Sequence, residues 1–170
     1  HDDSQVRTYL ALAMGATGDV HYGDALLTGL NDENIQSKVA SIKALGQIGF
    51  NEALPELNSF LSPEINNDQK LSAIMAIGMI GDTISKAELI PLLDDDEPNI
   101  RWETAVALAK MDDVHAIPVI KELLQRDYLR KFKEVDDWEQ VQALLVAVHV
   151  SGILKSDEFI PFLEKLALED

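Results

Sequence analysis

Hydrophobic and polar residues follow the same order in five ten-residue blocks that align without gaps. With the ten positions numbered as columns, column 8 is alanine in every block and column 9 is always apolar. Columns 1, 4, 5, 8 and 9, with column 12 beyond the block, lie on one side of an α-helix, which we expect to be buried. The pattern predicts one helix over each of VRTYLALAMG (6–15), SKVASIKALG (37–46), QKLSAIMAIG (69–78), IRWETAVALA (100–109) and QVQALLVAVH (140–149).

A short break and a second apolar segment follow each block. Four of these segments carry an early proline, which the first turn of a helix tolerates because its N–H has no partner within the helix. Each unit is therefore predicted to be a helical hairpin, and hairpins that cannot cover their own apolar face must stack on one another. The second segments are ALLTGL (25–30), ALPELNSFL (53–61), ELIPLL (88–93), AIPVIKELL (116–124) and EFIPFLEKLA (158–167).

The repeated unit resembles HEAT repeats and is most similar to the short bacterial HEAT-like repeats first associated with phycobilisome lyases. The resemblance is clearest in ALGQIGFNEALPEL (44–57), DDDEPNIRWETAVAL (94–108) and AIPVIKELL (116–124), and it covers nearly the whole chain. It implies an all-α, right-handed α-solenoid of about five hairpins and says little about activity, because this repeat serves many unrelated roles. We expect a single domain over 1–170, with repeats at approximately 4–33, 34–66, 67–97, 98–136 and 137–170.

Two features depart from a regular array. The chain opens directly on an aligned helix and ends on LEKLALED, so we expect either a segment of a longer array or a domain without dedicated end caps. The last step between aligned alanines is 40 residues rather than 31 or 32, which places about nine extra residues in QRDYLRKFKEVDDWEQ (125–140). These residues are predicted to lengthen a helix over 115–134 or to form a projecting loop.

Composition narrows the classes of function. Thirty acidic residues against fourteen basic ones give a net charge of −16, which repels phosphate backbones, so no nucleic-acid partner is expected. The absence of cysteine rules out disulfides, thiolate metal ligands and a cysteine nucleophile. No apolar run approaches the roughly 18 residues of a membrane span, and no signal peptide is visible. The compartment stays unknown; the cytoplasm is favoured, with export after removal of a signal peptide as the alternative.

Four consecutive acids, Asp94 to Glu97, are the most conspicuous candidate for chemistry. A calcium or magnesium site needs oxygens that alternate along a loop of fixed length, and this run lacks that pattern and leads directly into Pro98. In HEAT-like repeats, acids at this point cap the following helix and pair with its second-column base, here Arg101. We therefore expect a loop and a helix cap rather than a metal site.

Isolated titratable residues do not add up to a catalytic site. The four histidines, His1, His21, His115 and His149, lack metal-site spacing, and the last two are expected to be capping or packing residues. Glu103 occupies the near-core column 4, but a lone carboxylate does not identify a general acid. We predict no catalytic residue, no metal and no cofactor.

The extra residues carry a concentrated group of bases. One interpretation is a docking site for an acidic partner; the one we favour is a solvated helix extension whose bases pair with the acids that follow. The bases are Arg126, Arg130, Lys131 and Lys133, interleaved with Tyr128, Phe132 and Trp138, and the acids are Glu134, Asp136 and Asp137.

Columns 3, 7 and 11 are four residues apart and lie together on the side of each helix opposite the core. In HEAT-like repeats they usually hold charged residues and line the concave surface, whereas the middle blocks place apolar residues there, flanked by Lys43 and Lys110. Because packed helices lie about 10 Å apart, we expect one exposed apolar strip, a feature that marks binding surfaces. The predicted partner-binding residues are Val39, Leu71, Met75, Met79, Trp102 and Val106.

We expect this strip to bind a protein segment or peptide, and its acidic surroundings favour a basic, amphipathic one. Two alternatives stay open. The resemblance to phycobilisome-lyase repeats implies a tetrapyrrole- or bilin-binding protein, or a bilin-lyase-like enzyme, that uses the same groove. The other alternative is a spacer of a larger scaffold, in which strong curvature or residues outside this chain cover the strip.

Overall fold

The computed structural model describes residues 3–133 and 135–168. These residues form α-helices and short 3₁₀ helices, and no β-strand occurs among them. The fold is all-α and of the solenoid class that the repeat predicts. The α-helices are α1 (Ser4–Thr17), α2 (Gly23–Gly29), α3 (Ile35–Ile48), α4 (Leu54–Ser59), α5 (Asn67–Ile80), α6 (Lys86–Leu89), α7 (Pro98–Lys110), α8 (Ile117–Leu123), α9 (Arg126–Leu129), α10 (Asp137–Leu154) and α11 (Ile160–Leu168).

Long and short helices alternate as the two sets of apolar segments predict. The five aligned blocks lie in α1, α3, α5, α7 and α10. The second segments lie in α2, α4, α8 and α11 and, for the third, in α6 and the 3₁₀ helix Ile90–Asp94. A 3₁₀ turn precedes the α-helix of each second segment, at Val20–Tyr22, Asn51–Ala53, Thr83–Ser85, Val114–Ala116 and Asp157–Phe159.

The first three long helices begin and end at residues that satisfy their free backbone groups. The side chains of Asp3, Asn34 and Asn66 accept hydrogen bonds from first-turn N–H groups of α1, α3 and α5. The same helices end at glycines in the left-handed conformation, which a Cβ would disfavour. These are Gly18, Gly49 and Gly81, with φ of 67°, 66° and 74°.

The chain divides into two compact units, His1–Leu89 and Ile90–Asp170. In the first unit, α1 packs on α3 and α3 on α5, with α2 and α4 covering one side of the row. Two glycines bring these helices close: a Cβ on Gly15 would lie 2.8 Å from the Cα of Ala44, and one on Gly46 would lie 2.6 Å from the Cα of Ala76. The column-8 alanines thus form the contact points of the row. The single domain over 1–170 stays a prediction.

The second unit is built on α7, α8 and α10, which pack on one another. The described residues of the 125–140 stretch neither lengthen α8 nor project from the unit, so both expectations for the extra residues were wrong. They form the short helix α9 and a turn, anchored by Leu129 and Val135, which are 2% and 8% exposed. The burial of these two apolar side chains draws the segment back onto the unit.

The end of the fifth long helix also differs from the alignment. Column 10, glycine in the first three blocks, is His149 in the last, and α10 continues past it to Leu154. His149 is exposed inside the helix rather than at its end. The left-handed glycines that end α1, α3 and α5 lie three positions beyond column 10. At that position α10 has Gly152 but continues through it, and it ends at Lys155, which takes the left-handed conformation with φ of 47°.

Candidate binding surface

Columns 7 and 11 face solvent on α3 and α5, as the repeat register predicts. Between Ser37 and Ile48 of α3, Lys43 and Gln47 are exposed and the other side chains are buried or half-buried. On α5, Met75 and Met79 are exposed by 37% and 49%, while residues 72–74 and 76–78 are buried. The outward side of the first unit is thus set by the four-residue spacing of these columns.

The α5 ridge, defined as Leu71, Met75 and Met79, is an exposed apolar feature of this side. Leu71 is half-buried, and the two methionines extend the ridge over two helical turns. Between this ridge and Leu12 of α1 lies α3, which presents Lys43 here. Within the first unit, the polar side chains Lys43 and Gln47 of α3 therefore separate the α5 ridge from Leu12.

Three of the six predicted binding residues are buried, so their predicted exposure was wrong. Trp102 is 7% exposed, Val106 6% and Val39 9%. Val39 lies on α3, which α1 and α5 both approach closely through their glycine–alanine contacts, and neighbouring helices cover a side chain of its size. Val106 lies on α7, which packs against α8 and α10. For Trp102, on the same helix, a different cause operates.

Trp102, the column-3 residue of α7, is covered by Tyr128 and Phe132, and the three rings form an aromatic cluster. The Trp102 and Phe132 ring centroids are 5.0 Å apart with an interplanar angle of 88°, and those of Tyr128 and Phe132 are 5.2 Å apart at 66°. Tyr128 also lies 6.5 Å from Trp102. Such edge-to-face arrangements are favoured because the positive ring edge meets the negative ring face. The indole Nε1–H is buried without an acceptor among the described residues, so ring packing holds Trp102 in place.

Sequence reasoning did not place Tyr128 and Phe132 on Trp102. Two observations could have indicated the contact: the extra residues carry two aromatics four positions apart, and column 3 holds tryptophan in that repeat alone. Lys131 adds a cation–π contact, with its Nζ 5.6 Å from the Tyr128 ring centroid.

The family comparison bears on this region directly. Residues 64–135 match the family model for HEAT repeats. The matched segment includes the helices from α5 to α9, and therefore both the α5 ridge and the aromatic cluster. No curated protein matches the chain.

Within the matched segment, the acids from Asp94 to Glu97 form the predicted loop before α7, but Glu97, the N-cap residue, makes no capping hydrogen bond through its side chain, so the helix cap expected of these acids was wrong. The Asp95 carboxylate accepts a hydrogen bond of 2.9 Å from the Glu97 N–H, and Pro98 begins α7. The Arg101 guanidinium donates to the backbone carbonyls of Asp95 and Asp96, at 2.7 and 3.0 Å. Arg101 thus contributes to the loop by holding its backbone.

A charged pair links two successive long helices of the first unit. Arg7 Nε and Nη2 of α1 donate to the two carboxylate oxygens of Asp32, at 2.6 and 2.9 Å, and Asp32 precedes α3. The Arg7 guanidinium, with a hydrogen bond from the Asn34 N–H, lowers the pKa of Asp32 to about 2. This bidentate pair fixes the loop between repeats.

Two of the remaining titratable candidates, His21 and His115, have structural partners. His21 and His115 each place Nδ1 2.7 Å from the carboxylate of the aspartate two residues earlier, which also caps the 3₁₀ turn. Burial raises the pKa of Glu103 and the charge of Lys110 opposes that rise. Among the described residues, no group of three or more His, Cys, Asp or Glu side chains is placed to hold a metal ion. None of the described helices is long and apolar enough to cross a membrane.

The basic cluster differs in part from the favoured interpretation. Arg130 pairs with Asp127 at 3.3 Å, and Asp136 accepts from the Glu139 N–H in a capping box at the start of α10. Glu134, one of the predicted partners, lies outside the described residues. A cleft of about 240 Å³ separates part of this segment from α10, with Arg126 and Arg130 among its lining residues. A docking site for an acidic partner at this cleft stays a prediction.

Proposed function

We propose that the chain is an interaction scaffold, without catalytic activity, whose α5 ridge binds a segment of another protein. HEAT repeats commonly serve as scaffolds for protein interactions, and the family match includes α5. The observation that carries the proposal is the exposure of Met75 and Met79 on a helix whose intervening residues 76–78 are all buried. Methionine side chains are flexible and polarizable, which suits them to contact with a bound apolar surface.

The charge of the first unit favours a basic partner. Residues 1–89 contain twelve acidic and five basic residues. A surface field of this sign raises the rate at which a cationic segment meets the unit and discourages anionic ones. Lys43, on the neighbouring helix, would direct the partner's bases away from α3 and toward the surrounding acids.

A capture experiment with a matched control tests this placement. The wild-type chain, a Met75→Glu/Met79→Glu variant and an Ile84→Glu variant are immobilised, and bound proteins are quantified. Ile84 is 72% exposed in the first unit and lies outside the ridge, so it controls for a new charge on an exposed apolar site. Partners should be retained by the wild type and Ile84→Glu and lost from the double variant. Equal retention by all three chains would show that the ridge is not part of the binding surface.

The same variants test whether the ligand of this face is a protein or a tetrapyrrole. If a bilin or haem uses this face, its absorption band should shift on addition of the wild-type chain and should not shift with the double variant. We favour the protein partner because the negative charge of the first unit and the exposed methionines support it, and neither observation requires a bound bilin or haem.

A further inference from the structure

We infer that the partner is a basic segment carrying two aromatic side chains four residues apart. The inference rests on the proposed function and identifies its ligand class. It is drawn from the inserted segment, defined as residues 126–133 (RDYLRKFK), which already covers a repeat-equivalent face within the second unit. The chain thus contains its own example of what a face of this kind accepts.

The faces of α5 and α7 are equivalent by repeat register. Columns 3, 7 and 11 are Leu71, Met75 and Met79 on α5 and Trp102, Val106 and Lys110 on α7. The exposure of their column-7 residues differs sharply: Met75 is 37% exposed and Val106 6%. In the second unit, column 3 is covered by the inserted segment, whereas α5 retains an open ridge. The inserted segment therefore occupies column 3 on the α7 face, whereas columns 7 and 11 of the equivalent α5 face, Met75 and Met79, stay exposed.

The occupied face shows which side chains make the contact. Hydrogen bonds from the N–H of Leu129 to Gln125 and from the N–H of Phe132 to Leu129 keep the inserted segment in a helical turn. Residues four apart in such a turn lie on one side, and Tyr128 and Phe132 both reach Trp102. Aromatic rings placed this way on Met75 and Met79 would gain favourable sulfur–aromatic contacts.

The charges of the inserted segment fit the same conclusion. It contains four bases and one acid, in a chain whose net charge is −16. Arg126, Arg130, Lys131 and Lys133 are exposed, while Leu129 is buried. The segment is thus amphipathic, with its apolar side on the unit and its bases toward solvent. A partner built in this way would bring its bases into the acidic field of residues 1–89.

A peptide titration tests the ligand class on the whole chain. Three fluorescein-labelled peptides are compared: a copy of residues 125–135, an aliphatic version with leucine for tyrosine and phenylalanine, and a version with glutamate for each base. The copy should bind about tenfold tighter than either of the others. Its affinity should fall about tenfold or more in Met75→Glu/Met79→Glu, remain in Ile84→Glu, and weaken as salt is raised.

Each outcome decides a separate point. Equal binding of the copy and the aliphatic peptide would overturn the inference and leave the proposed function in place. Binding of the copy that persists in the Met75→Glu/Met79→Glu variant would also overturn it, because the peptide would then lie elsewhere. Failure of all three peptides to bind would overturn the ligand class, while the capture experiment decides independently whether the ridge binds protein.

Discussion

The Phe132 ring meets the Trp102 indole edge-on, with centroids 5.0 Å apart and planes at 88°. This contact joins the inserted segment to the helix that carries column 3, and it explains why an exposed tryptophan predicted from the repeat is buried. It also makes the aromatic cluster a structural element of the second unit, so that changes there should alter stability before they alter binding.

Removing Phe132 should expose Trp102 and destabilise the second unit. Phe132 is half-buried, so Phe132→Ala should cost about 2 kcal/mol, less than for a fully buried ring. The measurement is tryptophan emission in a Trp138→Phe background, which leaves Trp102 as the sole indole because Trp102 and Trp138 are the two tryptophans of the chain. Emission should shift to longer wavelength; an unchanged spectrum would mean that the ring does not shield Trp102.

The close approach of α3 to α5 should forbid a side chain at Gly46. A Cβ there would lie 2.6 Å from the Cα of Ala76, so Gly46→Ala should destabilise the chain by about 1–3 kcal/mol although alanine favours helices. Gly152→Ala is the matched control, because no atom lies within 4 Å of its added Cβ. In urea denaturation the control should be neutral or stabilising by up to about 1 kcal/mol. Similar losses for both variants would argue against the contact.

The Arg7–Asp32 pair should give stability that depends on pH. The pKa of Asp32 is lowered from 3.8 to about 2, so its stabilisation is complete above 3.8 and is lost as the pH falls through about 2. Asp32→Asn should cost about 1 kcal/mol at neutral pH, after allowance for the partial exposure of Arg7. The difference from the wild type should shrink as the pH falls through that window. Glu33→Gln, at the exposed neighbouring acid, serves as the control and should show no comparable difference.

The acid run should tolerate loss of an acid better than loss of its arginine. Arg101→Ala removes the donor to the Asp95 and Asp96 carbonyls and should cost about 1 kcal/mol. Asp96→Asn keeps that carbonyl and should change stability by less than about 0.5 kcal/mol. Thermal unfolding of the two variants compares them, and a larger loss for Asp96→Asn would show that its carboxylate matters more than the backbone contact.

The exposure of columns 7 and 11 on α3 and α5 could be predicted from the sequence because it depends on local helical spacing. Lys43, Gln47, Met75 and Met79 are exposed as that spacing requires. The burial of Trp102 could not be obtained in this way, because it depends on a segment about 30 residues later in the chain folding back onto α7. Local periodicity describes which side of a helix faces outward but contains no information on which distant residues then cover it.

For the acids from Asp94 to Glu97, the sequence likewise predicts the position of the loop but not the individual contacts within it. Their place before Pro98 indicated a loop and a helix cap; the loop is present, but the side chain of Glu97 at the N-cap position makes no capping hydrogen bond. The atoms that Arg101 contacts follow from the path of the loop backbone, which residue types alone do not determine. Val39 likewise lies in a column that the repeat predicts to be exposed. It is buried because Gly15 and Gly46 allow the neighbouring helices to approach α3 closely enough to cover it.

The most direct test of the α5 ridge uses the methyl groups of methionine. The chain has four methionines: Met75 and Met79 on the ridge, with Met14 half-buried and Met111 buried elsewhere. In a chain labelled with ¹³C-methyl methionine, the peptide copying residues 125–135 is added and the four NMR signals are followed. Our account predicts saturable shifts of the Met75 and Met79 signals, with those of Met14 and Met111 unchanged. Saturable binding that leaves the Met75 and Met79 signals in place would contradict it.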